Sequence, residues 1–149
     1  MLTTRRAAAT YRAIAVPIGW VVAGGLLLGS GFVRWIADGP GSRFGGLELA
    51  DNLRNGVLSP SWGVWVTVSV YSIVGIGGLL VASAGLGQVA IVVARGALCC
   101  VALVLFVVLG AFVLPFGEWG AGPTMATIAF AMGAALTAVQ LVVTLRPRT

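Results

Sequence analysis

Four stretches of this chain are continuously apolar over the thickness of a bilayer, and one long stretch between the first two is not. Residues 13–36, 64–84, 89–115 and 123–145 carry almost no charge. Each has about the twenty residues that a helix rising roughly 1.5 Å per residue needs to cross a ~30 Å hydrocarbon core. Apolar residues follow one another directly and do not alternate with polar ones, which sets aside a transmembrane β-barrel. The pattern predicts an all-α fold: a four-helix transmembrane bundle, one integral membrane domain over 1–149, with a long loop at 37–63.

The loop has its own periodicity. Gly39-Pro40-Gly41-Ser42 reads as a turn. Leu47 to Asn55 reads as a short amphipathic helix, with Leu47, Ala50 and Leu53 on one face. Asp51 and Arg54 are spaced to pair weakly, and Gly56 is placed to end the helix as its C′ residue. Ser59-Pro60-Ser61 turns the chain back, and Trp62 and Trp65 sit where aromatic-belt anchors belong. Gly85-Leu86-Gly87-Gln88 reads as a tight turn between the second and third spans, and 116–122 as a short loop with Glu118 and Trp119. Phe44, Leu47, Glu48, Asp51, Arg54 and Trp62 make the long loop a candidate partner-contact surface.

Composition agrees with the class. The chain is 59% hydrophobic and 9% charged, with mean hydropathy +1.06, whereas a soluble domain is about 25% charged. The basic start followed by an apolar run has the order of a secretory signal, but the run exceeds the roughly 7–15 residues of a signal core, so a retained helix is expected. The net charge of +5 comes from arginines at span ends and is not a nucleic-acid footprint. With both termini cytoplasmic, Arg5, Arg6, Arg12, Arg95, Arg146 and Arg148 lie inside. Arg34, Arg43, Arg54 and every acidic residue lie outside, as the positive-inside rule requires. The expected location is a multi-pass plasma-membrane protein with the amphipathic helix in its first extracytoplasmic loop.

Few residues carry candidate chemistry. Gly25 and Gly29, Gly78 and Ala82, and Ala129 and Gly133 have the small-xxx-small spacing that lets helices approach. They serve either a partner helix or the bundle's own packing. Arg95 is either an intramembrane charge or an interfacial one that snorkels, since 96–115 alone is long enough to span. Gln140 is its possible hydrogen-bond partner, and Arg34 can reach Asp38 or lipid phosphate. Cys99 and Cys100 are adjacent and lack the spacing of metal or redox pairs. Glu48, Asp51 and Glu118 are potential acid/base or cation groups, but outer carboxylates are ordinarily solvated. The chain has no His, hence no His-based triad or imidazole ligand. It has no phosphate-binding GxxxxGK[ST] loop. No catalytic, cofactor-binding or metal-ligating residue is assigned, and no cofactor is expected. The absence of a mid-span carboxylate removes the usual relay of a proton-coupled transporter. It also separates the chain from the small multidrug-resistance exporters, which carry a Glu in their first span.

The first span ending in Arg34-Trp35, the loop run Gly45-Gly46-Leu47-Glu48-Leu49-Ala50 and the three further spans resemble small four-span actinobacterial membrane proteins of the tryptophan-operon-associated type. That resemblance implies an envelope protein of the plasma membrane and supplies no catalytic residues. The expected function is a non-enzymatic accessory subunit of a larger membrane complex, such as a lipid or envelope-precursor transporter, with membrane lipids and that complex as partners. The alternatives are a small homo-oligomeric transporter or lipid flippase using Arg95, Gln140 and Tyr71, and a membrane enzyme acting on lipid head groups.

Overall fold

The structure, a computed structural model, describes the backbone of residues 2–38, 40–57, 60–113 and 118–145, and the side chains of 13–38, 42–56, 63–111 and 118–144. Four long helices carry the architecture: α1 (Leu2–Ser30), α3 (Pro60–Ala82), α4 (Val89–Val113) and α5 (Ala121–Leu145). A short α2 (Gly46–Asn52) lies between α1 and α3. Segments Ala13–Ser30, Gly63–Ala82, Val89–Ala111 and Ala121–Thr144 are long and apolar enough to cross a membrane, with mean hydropathy from 1.9 to 2.7. The protein is an all-α, multi-pass membrane protein. Val104, Val107, Ile128 and Val142 are exposed on these helices, as side chains facing lipid are in a membrane bundle.

Helix α1 packs against α3 on one side and α5 on the other, and α4 closes the ring between α3 and α5. Lipid tails are as apolar as the side chains, so close packing rather than hydrophobic exclusion holds such helices together. Gly24 of α1 and Gly77 of α3 let the two backbones come close together. A Cβ on Gly24 would stand 2.7 Å from the Gly77 carbonyl oxygen, and one on Gly77 would stand 2.5 Å from the Leu28 amide nitrogen. Trp20, Leu27, Ile73, Leu80, Ala102 and Leu109 fill the interior.

The bundle has two unlike ends. The terminal end carries the start of α1, the end of α5 and the turn between α3 and α4; the loop end carries α2 and the connection from α4 to α5. At the loop end α1 stops at Ser30 and does not run on to Ile36. The Ser30 hydroxyl donates to the Leu27 carbonyl at 2.6 Å, and the Ser30 carbonyl accepts the Trp35 indole N–H at 2.6 Å. The indole thus takes the acceptor that a continuing helix would offer to the amide of Arg34. Residues 31–38 leave as an irregular strap. Isolated antiparallel bridges pair Arg34 with Gly45 and Ile36 with Trp119. The amides of Gly46 and Leu47 donate to Val33 and Gly31, those of Gly120 and Gly122 to Trp35 and Arg34, and that of Ala37 to Glu118, the last three at 2.8 Å. The strap is therefore tied on both edges.

Three differences from the expected loop have local causes. Helix α2 gives way at Leu53 to a π-helical turn, Leu53–Val57, so Gly56 lies inside a widened turn and is not a terminating C′ residue. Pro60 opens α3 and is not part of a turn, a position that suits a residue with fixed φ and no N–H. Asp51 and Arg54 form no ion pair among the described residues, nor do Arg34 and Asp38; the Arg54 stem lies instead against Gly63. The amphipathic face is as expected: Ala50 and Leu53 are buried and Leu47 is partly so. At the N-terminus of α2 the Glu48 carboxylate accepts the Gly45 amide at 3.3 Å, half of a capping box.

Candidate functional site

The most distinctive chemistry lies at the terminal end. Arg95 sits about 9 Å along α4 from its start, within the segment that spans, and only 1% of its surface is exposed. Its side chain turns back towards the α3–α4 turn. Nε donates to the Ser83 hydroxyl at 3.0 Å and one terminal nitrogen to the Leu86 carbonyl at 2.9 Å. Those oxygens lie at and just beyond the C-terminus of α3, where carbonyls lack helical partners and the helix dipole favours a cation. The guanidinium carbon lies 5.2 Å from the centre of the Trp20 ring, a cation–π distance. The other terminal nitrogen is buried and has no hydrogen-bond partner among the described residues.

Trp20 links Arg95 to Gln140. Its indole N–H donates to the Gln140 side-chain oxygen at 2.8 Å, so helices α1, α4 and α5 and the α3–α4 turn meet at one polar cluster. Every described partner of Arg95 is neutral. Asp38, Glu48, Asp51 and Glu118, the chain's only acidic residues, all belong to the loop end. A buried cation ordinarily has an anion within reach; this one has a hydroxyl, a carbonyl and an aromatic face.

Beside the cluster is a cavity of about 380 Å³, lined by Ala13, Val16 and Pro17 of α1, residues 84–87 of the turn, and Val139, Gln140, Val143 and Thr144 of α5. Gln140 and Leu86 both line it and both belong to the polar cluster. Pro17 has no N–H, so the Ala13 carbonyl loses its usual helical donor at the same place.

The loop end is closed differently. Phe106 is its hub, meeting Trp35 and Trp119 edge-on at 6.1 and 5.5 Å and Phe130 at 5.4 Å between ring centres. Glycines take the tight positions around Trp35. A Cβ at Gly122 would lie 2.5 Å from the indole, one at Gly46 would collide with its nitrogen, and one at Gly120 would lie 2.5 Å from the Arg34 carbonyl. A shallow depression of about 820 Å³ flanks the strap, lined by Phe32, Arg34, Ala37 and Trp119 among others.

The small-residue pairs fall in different places. Ala129 and Gly133 are buried within the bundle, and a Cβ on Gly133 would press on Cys99 Sγ at 2.9 Å. Gly29 and Gly78 are half-buried, near Met125 and Leu28. Gly25 and Ala82 face outward, and a Cβ on Gly25 would meet nothing within 4 Å. In the loop, Glu48, Asp51 and Arg54 are exposed, while Phe44 and Leu47 pack on the core. Trp62 lies outside the described side chains. Tyr71 is exposed on α3 and is not part of the Arg95–Gln140 cluster. Trp20 belongs to none of the motifs or spacings read from the sequence. One signal marks it: tryptophan favours membrane interfaces, and this one lies well inside a span, where its N–H needs an acceptor.

No protein-family model, characterised protein or solved structure matches the chain.

Proposed function

We propose that the protein is a non-enzymatic accessory subunit of a larger membrane complex, of the kind that moves lipids or envelope precursors, in a plasma membrane with both termini cytoplasmic. The observation that carries this reading is an outward row of alanines on α5. Ala131, Ala134, Ala135 and Ala138 recur at i, i+3, i+4 and i+7 and are all exposed. They are separate from the small residues used by the bundle itself, such as Gly24, Gly77 and Gly133. Small side chains in such a row let a second helix approach closely enough for backbone-to-backbone packing. At the loop end Glu48, Asp51 and Arg54 stand exposed beside α3 and supply polar contacts for the extramembrane part of the same partner. The sequence carries more arginines in its two terminal segments and at Arg95 than in the loops at the other end, which supports this orientation.

The test is recovery of the tagged protein from its native membrane in mild detergent. One complex in near-stoichiometric amount is expected. It should be lost when Ala134 and Ala138 are both replaced by Leu, with helicity by circular dichroism unchanged. Recovery of the bait alone would overturn the reading. A homo-oligomeric transporter or flippase is the second reading, favoured by the cavity beside Gln140. It requires flux by the purified protein alone in proteoliposomes, and absence of flux counts against it.

A further inference from the structure

We propose that the terminal-end cavity binds the phosphate group of a net-anionic phospholipid, with Arg95 supplying the positive charge. Three observations converge on that occupant. Arg95 is 99% buried, from its 1% exposure, and its described partners are uncharged. Its remaining terminal nitrogen has donor capacity that no described group uses. The space beside the cluster is walled by Val16, Val139 and Val143, with Gln140 and Thr144 as its polar side chains. A guanidinium is always charged, and a buried one with no anion among its partners favours a negative group in the adjoining space. Basic pockets between transmembrane helices are where anionic lipid head groups are held.

The remaining geometry fits a lipid better than a soluble anion. Val139 and Val143 are exposed at 52% and 43%, so the cavity's α5 wall continues onto the lipid-facing surface, where acyl chains can lie. Gln140 gives its oxygen to Trp20, which leaves its amide N–H groups as donors. Gly85 and Gly87 in the turn have nothing within 4 Å of a would-be Cβ. Arg95 does not itself line the cavity; Leu86, which accepts from the guanidinium, forms the wall between them, so a phosphate held there by Gln140 and Thr144 meets an uncompensated cation directly behind that wall. This assignment is independent of the accessory-subunit reading.

Native mass spectrometry of the purified full chain would test it, scoring retention of phosphatidylglycerol against phosphatidylcholine of the same acyl chains. Wild type should retain the anionic lipid about tenfold more strongly, the scale of two unit charges attracting across about 12 Å of protein. Arg95→Met should abolish the preference, and Arg54→Gln, at the loop end, should keep it. If Arg95→Met does not fold, Val139→Trp decides: it fills the cavity from the lipid side without touching the guanidinium, and should lose retention while keeping the helical circular-dichroism signal. Equal retention of the two lipids by wild type, or undiminished preference in folded Arg95→Met or Val139→Trp, overturns the proposal. So does equal loss in Arg54→Gln, which would mark general surface attraction. Inorganic phosphate at millimolar concentration should not displace the lipid; complete displacement would assign the site to a soluble anion instead.

Discussion

The two ends of the bundle solve the same problem in opposite ways. Each must close a ring of helices where backbone groups run out of helical partners. The loop end does so with main-chain hydrogen bonds on both edges of the 31–38 strap and with an indole seated among glycines. The terminal end relies on one guanidinium reaching back to Ser83 and Leu86. The first solution leaves no buried side-chain polar atom unpartnered among the described residues, and its hollow is a shallow one on the surface beside the strap. The second leaves a nitrogen unpaired within the cluster and a cavity on the far side of Leu86. A closed end is built for rigidity, and an end with spare bonding capacity is where a ligand can complete the structure.

Substitutions can break or sharpen that contrast. The largest effect is expected from Trp35→Ala, which removes a buried indole, its bond to the Ser30 carbonyl and its edge contact with Phe106. It should cost about 3–5 kcal/mol in reversible unfolding. Gly122→Val drives methyl groups into the same indole and should cost about 1–3 kcal/mol by overpacking. Gln140→Leu at the other end leaves the Trp20 N–H without its acceptor and should cost about 1 kcal/mol. Gly85→Ala should stay within about 0.5 kcal/mol, because its side chain would enter open space. If Gly85→Ala matched Gly122→Val, the terminal end would be as tightly closed as the loop end and the contrast would fail.

The sequence shows the four spans plainly, because bilayer length and continuous apolarity leave little else for such runs to be. It shows Arg95 and Gln140 for the same reason: polar groups stand out against an apolar ground. It does not show where α1 ends. Gly31 to Ile36 is mostly apolar whether helical or extended, and the competition for the Ser30 carbonyl is decided by an indole that folds back from five residues on. Nor does it pick out Gly24. The spans are apolar on every side, so no amphipathic face says which of two adjacent glycines turns inward. Gly24 meets Gly77 while Gly25 looks outward. Trp20 was hidden because its partner Gln140 is 120 residues away along the chain.

The seat of Trp35 also bears on how the chain is made. Its walls come from Gly46, early in the chain, and from Gly120 and Gly122, which are synthesised only after α3 and α4. Until α5 begins to emerge, the indole has one glycine wall and three of the strap's five main-chain hydrogen bonds are missing. Biosynthesis therefore carries a built-in delay, in which the first and last helices of the nascent chain lock the loop end together in one late step.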